Sequence, residues 1–152
     1  MGLKKIVIVN GHGGNLHALA ELAMELRDKG IFLSIFQWWP AANKLLPSLF
    51  KPEERRNACA EETSLNLALY PHIVDMGKAV DEEPQRHVTE AEGVLLPLGT
   101  ADYTSSGVWG KSTTASAEKG KKVLEAVVDE LVKHVNRLKN AKNEDLAIKP
   151  KT

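Results

Sequence analysis

The stretch Lys5-Ile6-Val7-Ile8-Val9-Asn10-Gly11-His12-Gly13-Gly14-Asn15 decides the fold. Its uninterrupted run of β-branched aliphatic residues is typical of a strand buried on both faces, as in a parallel sheet. The glycines that follow allow a sharp turn around His12. Helical spacing then begins with the apolar residues Leu16, Leu19, Ala20, Ala23 and Leu26. The pattern predicts a strand, a turn and a helix, with His12 at the carboxyl end of the strand, where open α/β sheets bind ligands.

The residues after the turn predict the rest of a βαβ unit. We expect the first helix to span about 15–29, with the side chain of Asn15 as its N-cap and Gly30 just beyond its C-terminus. The mostly apolar segment Ile31–Phe36 predicts a second strand, parallel to the first and beside it. A late amphipathic helix is predicted from the regularly spaced apolar residues Val123, Val127, Leu131, Val135 and Leu138.

Composition limits the classes of function that fit. With 43% hydrophobic residues in 152, the chain can bury a real core, and we expect one domain over 1–138 with a polar, disordered tail over 139–152. Acidic and basic residues balance at 20 each, so no net field favours nucleic acid or a membrane surface. No apolar run is long enough to span a bilayer, and we see no signal peptide. The single cysteine, Cys59, suits a reducing cytoplasm.

On its pattern alone, the glycine turn is open to two interpretations without catalysis. It could be a glycine-rich connection with an incidental histidine, or a phosphate loop, although it lacks G-x-G-x-x-G and the P-loop ending. The segment Val9–Asn15, placed after a strand, closely resembles the signature of the creatininase (creatinine amidohydrolase) family, which are metal-dependent hydrolases of amide and related C–N bonds. This resemblance implies that His12 is a metal ligand.

A second informative stretch runs from Asn57 to Pro71. Its apolar stripe predicts a helix that ends before Pro71, and Glu61 and Glu62 fall at its start, where the helix dipole favours carboxylates. The stretch resembles the family pattern His-Ala-Gly-x-x-Glu-Thr-Ser-Leu, which implies that Glu62 is the active-site glutamate and that Glu61 is at a variable position.

The same register shows two departures from the family. Asn57 stands where the family has histidine, and Asn57 can form hydrogen bonds but cannot transfer a proton near neutral pH. Cys59 stands where the family has glycine, and we expect it to be a packed cysteine rather than a nucleophile, because no histidine lies nearby in sequence.

Aromatic residues mark the expected pocket. The adjacent Trp38 and Trp39 end the second strand, and since neighbours on a strand point to opposite faces, we expect one of them to be exposed near the carboxyl edge of the sheet. The stretch Ser105–Gly120 resembles the late Ser-Gly-Val motif of the family and implies a turn beside the pocket. The resemblance thus places substrate-pocket residues at Gly13, Gly14, Asn15, Trp38, Trp39 and Trp109. His87 remains a weaker site candidate, and Val94–Leu98 could form a late strand.

The resemblance covers only the C-terminal part of the family. Family members carry an earlier Glu-x-His-Gly segment and an Asp that supply most metal ligands, and a second acidic ligand, where present, stands at the position of Gly14 here. We therefore expect a creatininase-like α/β fold with three layers, a mostly parallel sheet and helices on both faces, but without its N-terminal part. His12 and Glu62 alone are fewer ligands than a catalytic zinc site usually has.

Three hypotheses of function follow. In the first, the chain carries part of the active site of a metal-dependent amidohydrolase that uses zinc, manganese or iron and acts on a small molecule, with Glu62 and Asn57 as catalytic residues. Its partner would be another copy or a complementary N-terminal chain, and no nucleic acid or membrane is involved. In the second hypothesis, the chain is a non-catalytic remnant of the same fold that binds a small molecule or a protein. The third is a phosphate-binding module that uses the glycine turn.

Overall fold

The computed structural model describes residues 3–85, 94 and 98–146. The candidate His87 and most of the proposed strand Val94–Leu98 lie outside these residues. Within the described part, the chain forms two compact units, of which the first consists of Met1–Ala42 with Ala126–Thr152 and the second of Asn43–Glu125. Nowhere in the described ranges does a helix combine the length and apolar character required to cross a membrane.

The first unit contains the predicted βαβ motif. Strand β1 (Lys5–Asn10) leads through a 3₁₀ turn (Gly13–Asn15) into helix α1 (Leu16–Asp28), and strand β2 (Phe32–Gln37) follows. The strands are adjacent and parallel, with Lys5 opposite Phe32 and Asn10 opposite Gln37. The prediction of two neighbouring parallel strands is therefore confirmed, and the chain is an α/β protein in which both strands end at the same edge.

The end of α1 explains how the chain reverses into β2. Gly30 adopts a φ of +70°, which is the left-handed region that favours glycine. The Gly30 N–H donates to the Arg27 carbonyl at 2.9 Å, and the Ile31 N–H donates to the Leu26 carbonyl at 2.9 Å. This pair of bonds is a Schellman motif, so the predicted position of Gly30 just after the helix is confirmed.

Burial of β1 differs from the expectation. The strand is half-buried from Lys5 to Ile8, and Val9 is 58% exposed. An aliphatic strand is buried on both faces only where other layers cover both, and among the described residues β1 pairs with β2 alone. The expectation of burial on both faces was therefore wrong at Val9.

The C-terminal part of helix α6 (Ala117–Asn140) packs against the strands. The Lys5 ammonium donates to the Leu138 carbonyl at 2.8 Å, and the Ser34 hydroxyl lies 2.9 Å from His134 Nε2. Three residues of the predicted apolar stripe are buried, namely Val123, Val127 and Leu138. This burial confirms which face of the helix packs against the rest of the protein.

The described part of the polar tail contains helical residues. Helix α6 continues to Asn140, and a short helix α7 spans Asn143–Leu146. The Asp145 carboxylate accepts a hydrogen bond from the Lys142 N–H at 3.1 Å, which stabilises the start of α7. The disorder that we expect for the tail over 139–152 stays a prediction.

The second unit consists of short elements. Its helices include α3 (Leu46–Leu49), α4 (Ala60–Leu69) and α5 (Thr100–Tyr103). They follow helix α2 (Trp38–Ala41), which belongs to the first unit. Strands β3 (Asp81–Glu82) and β4 (Gly110–Lys111) pair antiparallel. Buried side chains of this unit include Leu46, Phe50, Cys59, Ala60 and Val123.

Gly120 lets the start of α6 approach α4 closely. A Cβ atom at Gly120 would lie 1.8 Å from the Ser64 carbonyl oxygen, which is backbone and cannot move aside. Next to this contact, the Ser64 hydroxyl accepts a hydrogen bond from the Ser116 N–H at 3.0 Å. The packing of the second unit therefore requires glycine at position 120.

We expect Gly120→Ala to lower the free energy of unfolding by about 3 kcal/mol, because the added methyl group forces the two helices apart. Urea denaturation followed by circular dichroism measures this change. Gly11→Ala is the control, since nothing lies within 4 Å of a Cβ at Gly11. Equal stability of the two variants would contradict the close approach.

Candidate metal and substrate site

The side chain of Asn10 organises the turn at the end of β1. Asn10 is 2% exposed, and its Nδ2 donates to the His12 carbonyl at 2.8 Å. Its Oδ1 accepts hydrogen bonds from the His12 N–H at 3.3 Å and from Asn15 Nδ2 at 3.1 Å. A buried amide needs such partners, and here the turn itself supplies them, so Asn10 and the turn hold each other in place.

His12 presents an exposed imidazole at the carboxyl edge of the strands. Its ring lies against Gly14, where a Cβ atom would be 2.7 Å from His12 Nε2. Glycine at position 14 therefore leaves room for the observed ring orientation. A side chain at this position would compete with the ring for the same space.

The predicted cap at Asn15 was wrong. Asn15 is in the right-handed helical region, with φ −76° and ψ −15°, and its side chain forms no cap hydrogen bond. A capping residue usually has extended backbone, whereas Asn15 already belongs to the 3₁₀ turn. Its side chain instead donates to Asn10, so Asn15 supports the turn.

The two tryptophans after β2 differ in burial, but they lie in helix α2 rather than at the end of the strand, and neither is exposed as was expected for one of them. Trp38 is buried, Trp39 is half-buried, and their rings meet edge to face at 6.0 Å. A Cβ atom at Gly13 would lie 4.0 Å from Trp39 Cζ2. Trp39 therefore lies beside the glycine turn in the first unit, whereas Trp38 contributes to the core.

In the second unit, Glu62 is held at the start of α4. Its Oε2 accepts a short hydrogen bond from the N–H of Ala58, two residues before the helix begins. Ala58 has a φ of +53°, a strained conformation for a residue with a Cβ atom. The carboxylate of Glu62 and the left-handed Ala58 thus shape the turn together, which gives Glu62 a structural role as well as its predicted one.

Asn57 is joined to the late loop that carries Trp109. Its Nδ2 donates to the Gly107 carbonyl at 3.3 Å, and its own carbonyl accepts from the Trp109 N–H at 2.9 Å. The Trp109 ring packs on Tyr103 with a centroid distance of 4.8 Å. The structure thus brings together Asn57 and Trp109, two residues that were predicted from separate motifs.

Cys59 is packed, as expected. It is 0% exposed, and its thiol donates to the Trp109 carbonyl at 2.8 Å. Burial raises the pKa of the Cys59 thiol, although hydrogen bonds oppose the shift. The thiol therefore stays protonated near neutral pH and is a poor nucleophile.

Glu61 is the residue that sequence reasoning missed. It is buried, and its Oε2 has no hydrogen-bond partner among the described residues. Burial, and then the charge of Glu62, raise the pKa of Glu61 to about 7, while the charge of Arg55 opposes the shift. A pair of glutamates at a helix start signals favourable dipole contacts, but nothing in the pattern distinguishes the buried one.

The half-buried carboxylate of Glu82 binds the two serines of the loop before Trp109. Glu82 accepts hydrogen bonds from the Ser105 N–H at 2.7 Å and the Ser106 N–H at 2.9 Å, and from both serine hydroxyls. These bonds, led by that of the Ser106 hydroxyl, lower the pKa of Glu82 to about 2. The Glu82 carboxylate is therefore ionised when it holds the loop in place.

The donor types of His12 and Glu62 suit a divalent metal, because imidazole and carboxylate are ligands that zinc, manganese and iron accept. His12 belongs to the first unit and Glu62 to the second, so their convergence stays a prediction. Within 3–85, 94 and 98–146, no three His, Cys, Asp or Glu side chains form a group that could hold a metal ion.

Comparison with known proteins identifies the family. The sequence model of the Creatininase family, described as creatinine amidohydrolase, matches residues 1–135, so the chain belongs to the creatininase family. It is 34% identical to the creatinine amidohydrolase of Pseudomonas putida over 84% of this chain and 53% of that protein. It is 30% identical to the 3-dehydro-scyllo-inosose hydrolase of Thermotoga maritima over 88% of this chain and 50% of that protein. The chain spans about half the length of these curated relatives.

Solved structures agree with this assignment. A putative creatinine amidohydrolase from Bacteroides fragilis shares the fold with a TM-score of 0.77 at 22% identity, over 93% of this chain and 56% of that one. The manganese form of creatininase matches with a TM-score of 0.63 at 28% identity, over 88% of this chain and 56% of that one. A Zn–Zn form of a creatininase variant matches with a TM-score of 0.61 at 28% identity, over 89% of this chain and 56% of that one.

We expect Gly14→Ala to turn the His12 ring away from its position over residue 14, because the new methyl group would overlap Nε2. The imidazole NMR signals of His12 should shift strongly, while the melting temperature changes little, since the turn is exposed. His17→Gln is the control for assigning the histidine signals. Unchanged His12 signals in Gly14→Ala would contradict the packing of the ring on Gly14.

A pH dependence follows from Glu82. Its folded pKa of about 2 is below the ordinary value of 4.5, so its stabilising contribution is complete above 4.5 and is lost as the pH falls through about 2. We expect Glu82→Gln to lower the urea midpoint at neutral pH, with a gap to the unmodified chain that closes in strong acid.

Glu83→Gln is the matched control, because Glu83 is exposed and its carboxylate contacts Arg56 in an ion pair at the surface. A gap for Glu82→Gln that stays constant down to the lowest pH would show that hydrogen bonding to the ionised carboxylate is not the cause.

Proposed function

We propose that the chain carries part of the active site of a metal-dependent hydrolase that cleaves amide or related C–N bonds in a small molecule. The observation that carries this proposal is the exposed His12 imidazole, held by the buried Asn10 at the carboxyl edge of two parallel strands. This edge is where α/β proteins bind ligands. The sequence similarity to creatinine amidohydrolase supports the type of reaction.

In this proposal His12 and Glu62 hold the ion. A divalent metal bound there would supply Lewis acidity for the scissile carbonyl and for a water molecule. Asn10 keeps His12 in one orientation through the backbone of the turn. Glu62, anchored by the Ala58 N–H, binds the ion or accepts a proton from the attacking water. The manganese and zinc forms of creatininase support the choice of metal.

Asn57 and the tryptophans would bind the substrate. The Asn57 side chain donates to Gly107, and its amide oxygen can accept from a substrate N–H, but it cannot transfer a proton. Trp39 beside the glycine turn and Trp109 in the late loop would form apolar walls. In this role Asn57 orients the substrate, and proton transfer falls to Glu62.

Two protein ligands hold a catalytic ion weakly, so we propose that further ligands come from a complementary N-terminal segment or chain. Large apolar side chains left exposed in the first unit support such a partner, or a second copy of this chain; they include Val9, Leu22, Met24, Val128 and Val132. The packed, reduced Cys59 is compatible with a cytoplasmic setting.

A non-catalytic remnant of the same fold is the second candidate. Asn57 in place of a proton-transferring histidine, and Gly14 where a relative can carry an acidic ligand, favour it. This candidate predicts ligand binding without turnover, even when the missing ligands are supplied.

We expect the chain mixed with the N-terminal half of a family member to bind zinc or manganese more tightly than the chain alone, and to hydrolyse creatinine or another small amide. His12→Ala and Glu62→Gln should each weaken metal binding about tenfold or more, because each removes a ligand of the ion. Isothermal titration calorimetry measures the affinity, and light scattering measures the association.

Glu61→Gln is the matched control, since Glu61 is the neighbouring carboxylate on the same helix turn and is not proposed as a ligand. Retained metal affinity in His12→Ala would refute the proposed metal site. Tight metal binding without turnover of any amide would favour the non-catalytic remnant.

A further inference from the structure

The second unit contains a cavity that the proposed hydrolase site does not use. Its volume is about 600 Å³, which is the size of sites for small metabolites. Leu49 and Phe50 with two prolines form its apolar walls, and its charged lining residues are Lys51, Glu54, Arg55 and Lys119. None of these residues belongs to the candidate metal and substrate site.

The single carboxylate of the cavity is already occupied by protein donors. The Thr114 hydroxyl donates to Glu54 Oε1, and the Lys51 N–H donates to Oε2 at 2.6 Å. Burial raises the pKa of Glu54, but these hydrogen bonds and the charges of Lys119 and Lys51 outweigh it and hold the pKa below its usual value. Glu54 therefore stays ionised near neutral pH, with both oxygens hydrogen-bonded.

Among the described residues, the charged groups of Lys51, Arg55 and Lys119 have no carboxylate at contact distance. The charge of Arg55 nevertheless acts on Glu61, and the charges of the two lysines act on Glu54. The Lys119 ammonium lies 5.1 Å from the centre of the Phe50 ring and donates to the Thr114 carbonyl at 3.1 Å.

Arg55 also lines the cavity. Its Nε is buried and has no hydrogen-bond partner among the described residues. Because Nε has almost no accessible surface, a ligand in the cavity would not contact this atom, and Arg55 contributes to the lining through the charge of its guanidinium group. Among the residues that line the cavity there are three cations and one carboxylate, so the lining carries an excess of positive charge beside the Phe50 ring.

We propose that this cavity binds a small organic anion, namely a carboxylate or phosphate group attached to an apolar body. The anionic group would lie among Lys51, Arg55 and Lys119, where charge-assisted hydrogen bonds are strong. The apolar body would pack on Phe50 and Leu49. The site is separate from the metal-dependent reaction, so it provides a place for an effector or for a charged part of a larger ligand.

The experiment titrates the full 152-residue chain, in the presence of a metal chelator, with phenyl phosphate, benzoate, inorganic phosphate and neutral benzyl alcohol. We expect saturable binding of phenyl phosphate or benzoate in calorimetry, and weaker binding of inorganic phosphate and benzyl alcohol, which each lack one half of the ligand. The two aromatic anions distinguish a phosphate site from a carboxylate site.

Lys119→Met should weaken binding about tenfold, because it keeps the length of the side chain and removes one charge-assisted contact. Lys51→Met provides a second variant at an exposed position, and Lys121→Met is the control on the same helix outside the cavity. The proposal is overturned if neither aromatic anion saturates in the millimolar range, if benzyl alcohol binds equally well, or if both cavity variants bind like Lys121→Met. The chelator makes these outcomes independent of the proposed hydrolase activity.

Discussion

The buried side-chain amide of Asn10 is the interaction on which the first unit depends. An amide without partners in this position would cost roughly 1–3 kcal/mol, and the turn after β1 removes that cost by supplying the His12 backbone and the Asn15 side chain. The dependence is mutual, because the turn has no regular ladder to hold it after Asn10. His12 therefore keeps a defined position although its ring is exposed.

In the second unit, carboxylates hold loops in place by hydrogen bonds, as the Asn10 amide does in the first unit. Glu62 accepts the N–H of the strained Ala58, Glu82 accepts the amides and hydroxyls of two serines, and Glu54 joins Lys51 to Thr114. Each carboxylate satisfies backbone or hydroxyl donors in segments that have little regular structure. Loops built in this way can present Asn57 and Trp109 at fixed positions without long strands or helices to support them.

In the cavity beside Phe50, a carboxylate of this kind lies among cationic side chains. There the carboxylate is saturated by its own neighbours, so the surrounding cations keep their capacity for a ligand. The segment around Glu62 differs, since burial, and then the charge of Glu62, raise the pKa of the neighbouring Glu61 to about 7. The second unit thus places several cations around one carboxylate in the first region, and two adjacent carboxylates in the other.

Much of this protein was determined by sequence alone. The aliphatic run of β1, the spacing of α1 and α6, and the position of Gly30 were sufficient to predict the elements, because they depend on periodicity and on local backbone preference. The signature around His12 was sufficient for the family. Tertiary structure alone decided the exposure of Val9 and the burial of Glu61, because each depends on which distant groups cover or satisfy a side chain. Solvation and hydrogen-bond satisfaction arise between segments far apart in the chain, and no local pattern in the sequence encodes them.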